Sequence, residues 1–170
     1  ELNLYFSHMD PVVEAHGGVI DKRIGDGLMV VFTSSQRSGE GLAELQRRAV
    51  RCAVGMLTAL PACNAQLGAR GSEPIQIRVG VAGGPLVQGN VGSAARLEYT
   101  VIGDTVNLAA RLEGQASPGC ALIQEAVFAA GGAGHAPLSR RTIKVKGRVE
   151  PVAVVEVGIG EGALALGVSG

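Results

Sequence analysis

The sequence predicts an α/β domain in which a mixed, largely antiparallel sheet is covered by helices. Strand-like and helix-like segments interleave along the chain. The glycine-rich links at residues 25–27 and 83–85 are tight enough to make the strands that they join antiparallel neighbours. A chain of 170 residues with 46% hydrophobic side chains can bury one sizeable core.

Leu2, Tyr5, Phe6, Met9, Val12 and Val13 recur at helical spacing, so the chain opens in a helix. Pro11 lacks the N–H that a helix interior uses, which predicts either a second segment capped by Asp10 or a kink. Gly17-Gly18 ends the helix. Residues 19–32 read as a β-hairpin with Gly25-Asp26-Gly27 at its turn. Alternation puts Ile20, Lys22 and Ile24 on one face and Val19, Asp21 and Arg23 on the other. A lysine in an apolar row either snorkels to the edge or points into a pocket for a partner. Asp26, taken alone, is explained by the local preference of aspartate for turns.

Residues 33–41 form a polar loop, and 42–67 an amphipathic helix with Leu45, Ala49, Cys52, Ala53 and Met56 as its stripe. Gly55 weakens that helix and Pro61 is expected to kink or end it, with a loop over 68–74. Ile75, Ile77, Val79 and Val81 alternate with Gln76, Arg78, Gly80 and Ala82, as in a half-buried strand. The turn Gly83-Gly84-Pro85 returns the chain through Leu86 and Val87. Gly89, Asn90, Gly92 and Ser93 read as a second turn before a β-rich segment over 97–102.

Gly103-Asp104 stops that segment and starts a helix to about Gln115, with Asp104 in the first turn, where a carboxylate offsets the unpaired amides. Asp104, Asn107 and Arg111 fall at i, i+3 and i+7 and share a face. A guanidinium fork and a neutral amide one turn apart can grip an anion such as phosphate. The spacing alone favours the plainer reading, a solvated face or an Asp–Arg pair. Residues 121–123 read as a short strand, 125–130 as a short helix and the segment around 133 as a loop. Over 141–148, Ile143 and Val145 alternate with Thr142, Lys144 and Lys146, which puts both lysines on one strand face, by default a solvated edge. Residues 158–170 are Gly/Ala-rich and expected to be a flexible tail, leaving 1–157 as the domain.

Lysine plus arginine match aspartate plus glutamate at 15 each, which argues against a general affinity for nucleic acid or anionic membrane. Any basic site must be local, and Lys22, Lys144 and Lys146 are the only lysines. No apolar run approaches the roughly 20 residues of a membrane span, and the N-terminus does not look like a signal peptide. Cys52, Cys63 and Cys120 are odd in number and lack metal-type pairing. Cys52 and Cys63 fall about 16 Å apart along one helix, beyond disulfide reach, so a reducing, cytoplasmic compartment is expected.

The ungapped string Glu98-Tyr99-Thr100-Val101-Ile102-Gly103-Asp104-Thr105-Val106-Asn107-Leu108-Ala109-Ala110-Arg111 resembles the signature of class III nucleotide cyclases. Lys22-x-Ile24-Gly25-Asp26-Gly27 resembles the hairpin of that family, about 75 residues upstream and in the family's order. Lys146-Gly147 matches its Val-Lys-Gly, and the opening Leu-Asn-x-Tyr-Phe stretch is similar to the family's helix before His-Gly-Gly. The resemblance implies the ferredoxin-like palm core, a homodimer with nucleotide sites at the interface, and conversion of ATP to cyclic AMP and pyrophosphate with two Mg²⁺ or Mn²⁺ ions. It assigns Arg111 to charge developing on the phosphate, Asn107 to the ribose, Lys146 to the β/γ-phosphates, Lys22 and Thr100 to adenine and Asp26 to metal. Lys22 stands where guanylyl cyclases carry Glu, which implies ATP. In the family a first metal-binding Asp lies on a strand upstream of the opening helix, in a Phe-x-Asp segment that these residues do not include. By themselves they are therefore expected to hold the metals incompletely and to turn over little. The alternative from another class is a catalytically silent cyclase-like module that dimerises and binds nucleotide; a guanylyl cyclase is the lesser alternative. Regulatory domains attached outside this chain fit either reading.

Overall fold

The computed structural model describes residues 1–34, 41–93, 95–132 and 134–159, with the backbone alone at 91, 93 and 96–101. The elements are α1 (Leu2–Ala15), β1 (Val19–Ile24), β2 (Gly27–Val31), α2 (Leu42–Ala69), β3 (Val79–Val81), β4 (Val87–Ser93), β5 (Arg96–Ile102), α3 (Asp104–Gln115), β6 (Cys120–Gln124), α4 (Glu125–Gly131), β7 (Ser139–Ile143) and β8 (Val152–Gly158). A four-stranded sheet of order β3-β6-β8-β7 is parallel at β3–β6 and antiparallel elsewhere, while β1–β2 and β4–β5 are separate antiparallel pairs. This is the mixed, mostly antiparallel arrangement that the sequence predicts.

Helices cover both faces of the central sheet. Ala121, Ile123, Val155 and Val157 join α1, α2 and α4 through Met9, Val13, Leu57, Leu67 and Val127. The opposite face, with Leu122, Val152 and Val154, packs on Leu108 and Leu112 of α3. Strands buried on both sides need apolar residues at every position, so β8 reads as a near-continuous run and carries no alternation signal. Cys52, Cys63 and Cys120 are all free thiols, and burial pushes Cys52 up to about 11. Among the described residues no helix is long and apolar enough to cross a membrane.

Several sequence expectations are corrected. Neither proline ends its helix: α1 runs through Pro11 and α2 through Pro61 to Ala69. Each proline is exposed while buried neighbours, Met9 and Val13 or Leu60 and Cys63, hold the helix on the core. Tertiary packing there outweighs the lost bond to the carbonyl four residues back. The strand expected from Ile75 narrows to Val79–Val81, because the Asn64 side chain intercepts the backbone of Ile75, accepting its N–H at 2.8 Å and donating to its carbonyl at 2.9 Å. The turn at Gly83-Gly84-Pro85 does not fold β4 back on β3, which pairs parallel with β6 instead. It sends the chain out into the β4–β5 hairpin, so Gly89, Asn90, Gly92 and Ser93 lie in a strand rather than a turn. Thr105 Oγ1 donates to the Pro85 carbonyl at 2.6 Å and ties the two ends of this excursion together. The expected loop at 33–41 falls mostly on residues outside the described ones, as does the tail beyond 159.

The crossover from β3 to β6 brings α3 flat onto the sheet. A Cβ on Gly80 would lie 2.2 Å from the Ala109 carbonyl oxygen and 2.3 Å from the Glu113 nitrogen, so the helix backbone rests directly on that glycine. The far end of α3 is fastened by Glu156 of β8, 7% exposed, which accepts from the Ser117 amide and hydroxyl, both at 3.0 Å, and lies 3.6 Å from Arg141. Burial pushes the Glu156 carboxyl up, but the two Ser117 bonds and Arg141 together outweigh it and hold the group below its ordinary range. A pKa lowered by folding contributes stability above the unfolded value, about 4.3, and loses it as pH falls through the folded value. Glu156→Gln is therefore expected to destabilise the domain by about 1–3 kcal/mol at pH 7 and by visibly less near pH 3. Urea denaturation at both values checks this; an equal penalty at both would show that the charge is not what matters.

Candidate active site

The φ of Gly103, +141°, is one that side-chain-bearing residues rarely adopt, and it lets β5 turn abruptly into α3. Thr105, Leu108 and Leu112 face the core, which leaves Asp104, Asn107 and Arg111 exposed on the other side of the helix. Opposite them stands the link between β7 and β8. The β7–β8 ladder ends at the pair Ile143–Val152 because the next residue of β8's strand line is Pro151, which has no N–H to offer. Lys144 and Lys146 are therefore not on a strand, contrary to the alternation reading. Instead residues 145–148 close a turn, with the Arg148 N–H donating to the Val145 carbonyl at 3.0 Å and Gly147 at φ +89°.

α3 and this turn enclose a cavity of about 500 Å³ lined by Asp104, Asn107, Leu108, Arg111, Lys146 and Arg148, among others. Leu108 and Val145, 2% and 5% exposed, supply apolar support for a strongly charged rim. Arg148 forms an ion pair with Asp104 across the opening. Neither Arg111 nor Lys146 has a partner among the described residues, so two uncompensated cations and an amide face one space of nucleotide-accommodating size.

Three of the six site residues expected from sequence thus converge: Asn107, Arg111 and Lys146. Lys22 and Asp26 are not among the residues that line this cavity. Lys22 lies on β1, where the extra residue Asp21 breaks the register between Ile20 and Lys22. The strict alternation expected there is lost, and the two neighbours form an ion pair at 3.6 Å rather than standing apart on opposite faces. Asp26 is exposed at the hairpin tip, near enough to the buried Tyr5 to help burial push that phenol up to about 12. Thr100 of β5 pairs with Gly89 of β4, and its side chain lies outside the described residues. The strands of Lys22 and Thr100 nevertheless touch, β1 against β5.

Residues 1–157 match the family model described as the adenylate and guanylate cyclase catalytic domain. The chain belongs to this cyclase family. It is 34% identical over 165 residues to an adenylate cyclase of Anabaena cylindrica, covering 92% of the present chain and 31% of that protein. It is 36% identical to adenylate cyclase 1 of Rhizobium meliloti, covering 66% of this chain and 16% of the relative. The cyclase domain thus spans a third or less of these relatives' length. Among solved structures, it is similar to a guanylyl cyclase (36% identity, TM-score 0.81, covering 94% of this chain and 80% of the other) and to the adenylyl cyclase CyaB of P. aeruginosa (32%, 0.80, 94% and 81%). Near-equal likeness to enzymes of both types leaves the choice of base to individual side chains.

The family's divalent cations need several oxygen ligands each. Among the described residues of the cyclase domain no group of three or more His, Cys, Asp or Glu side chains could hold a metal ion. These residues do not fit a two-cation site on their own; Asp26 offers one exposed carboxylate. Arg148 lines the same cavity, a placement that the alternation over 141–148 does not predict. Its signal in the sequence is a second cation one glycine beyond Lys146.

Proposed function

We propose that this cyclase domain is of the adenylyl type, converting ATP to 3′,5′-cyclic AMP and pyrophosphate. The observation that carries the reading is the meeting of Asn107, Arg111 and Lys146 at one cavity from two separate parts of the chain. In the reaction the ribose 3′-oxygen bonds to the α-phosphorus, the bond from that phosphorus to the bridging oxygen breaks, pyrophosphate leaves and the hydroxyl proton is lost. Arg111 stabilises charge that grows on the α-phosphate, Asn107 orients the ribose, and Lys146 binds the β- and γ-phosphates. Lys22 and Thr100 read the adenine, and Asp26 belongs to the metal-binding side. Because Lys22 and Asp26 stand away from the cavity of their own chain, the complete site is proposed to form between two copies in a cytoplasmic homodimer.

Adenine presents an amino donor and an N1 acceptor where guanine presents a carbonyl acceptor and an N1–H donor. Lysine suits the first pattern and glutamate the second. The double substitution Lys22→Glu with Thr100→Cys is therefore expected to lower kcat/KM for ATP by about tenfold or more and to raise it for GTP. Competition assays with both nucleotides, reading cyclic AMP and cyclic GMP, test this; full retention of the ATP preference would reduce Lys22 to a strand-edge lysine. Binding of ATP with no cyclic product from any purified form that includes the flanking sequence would instead favour the silent module.

A further inference from the structure

We infer that Arg148 is an additional phosphate-binding residue of the cavity, held in position by Asp104; this rests on the nucleotide-cyclase reading and adds a side chain that the sequence motifs leave out. Arg148 lines the cavity beside Lys146, and its backbone is fixed by the 145–148 turn. One edge of its guanidinium is occupied, because Nη2 donates to Asp104 Oδ2. The Nε–H is buried and has no acceptor among the described residues. Buried donors without acceptors are rare in folded proteins, and because 31% of the Arg148 side chain is exposed beside the cavity, a small turn of the guanidinium brings this one to an acceptor that arrives with the ligand.

Asp104 supports the same assignment from the opposite charge. It is the one carboxylate among the described lining residues, and 74% of its side chain is exposed. A carboxylate beside a polyphosphate site repels the ligand unless it performs another task. Here it sits in the first turn of α3, where the helix dipole favours it, and reaches across to the turn that carries Lys146 and Arg148. The pair thus fixes one edge of a planar fork and leaves the rest for phosphate oxygens, an arrangement that lysine could not reproduce.

The test is calorimetric titration of the protein with inorganic tripolyphosphate, which carries neither base nor reacting hydroxyl. Arg148→Ala is expected to weaken binding about tenfold or more, and Arg148→Lys to restore less than half of that loss. Asp104→Asn is expected to weaken binding about threefold when Arg148 is present and to tighten it in the Arg148→Ala background, where only repulsion remains; such a reversal is the mark of direct coupling. Circular dichroism and melting curves check that the variants fold. The assignment is overturned if Arg148→Ala binds within twofold of the parent. It is overturned equally if the parent binds no tripolyphosphate, or if Asp104→Asn tightens binding to the same degree in both backgrounds, which would make Asp104 a barrier that phosphates displace. The adenylyl reading fails on a different observation, the absence of cyclic AMP from ATP, so the two outcomes are separable.

Discussion

Replacement of Arg111 by alanine is expected to lower kcat by about a hundredfold or more while changing KM far less, by analogy with removal of one donor from a preorganised anion site. The expectation follows from where the side chain stands. Arg111 is on the exposed face of α3, lines the cavity and has no partner among the described residues. A guanidinium that neutralises nothing among the described residues is available, on the proposed reading, for charge that appears only as the α-phosphate is attacked, and such an interaction acts on the transition state more than on bound substrate. The core of α3 is built by Leu108 and Leu112, so the fold should survive the change. Steady-state kinetics of the variant beside the parent, in a protein that includes the flanking sequence, decide the matter; an unchanged kcat would remove Arg111 from the chemistry.

The largest structural effect is expected at Gly80. Even alanine there would drive a methyl group into the α3 backbone at Ala109 and Glu113, and backbone cannot rotate aside as a side chain can. Gly80→Ala is expected to destabilise the domain by about 3 kcal/mol, the upper end of the overpacking range, and Gly80→Val to prevent folding. Because α3 carries Asn107 and Arg111, the alanine variant should also lose phosphate binding at temperatures where it is still folded. Chemical denaturation together with tripolyphosphate titration would show both; a variant as stable as the parent would mean that α3 sits farther from the sheet than the structure places it.

Much of α3 was legible because its signals are local. Gly103 supplies the backbone break, Asp104 the first-turn charge and Thr105, Leu108 and Leu112 the buried stripe. The resemblance then supplied the roles proposed for its exposed side chains. What escaped was decided at a distance. β8 is buried on both faces and offers no period to read. Ile75 continues a convincing alternation, yet its backbone bonds go to Asn64, eleven positions earlier on another element. Pro151 ends the ladder of a different strand and so converts the lysine row at 144–146 into a turn. The bulge at Asp21, likewise, is a property of the pairing between β1 and β2 and not of either strand alone.

The bond from Thr105 to Pro85 gives the molecule a narrow neck. Everything between those two residues leaves and re-enters the domain at one point, and β4 and β5 find their ladder partners in each other. Seen from the core, this excursion is a closed ring whose circumference does not alter where α3 begins. Extending or exchanging it changes mainly a loop-closure term that grows only slowly with length. Evolution can therefore remodel the arm that carries Thr100, the residue proposed to read the base, as a detachable part, while Asn107 and Arg111 on the other side of the neck stay in register with Lys146.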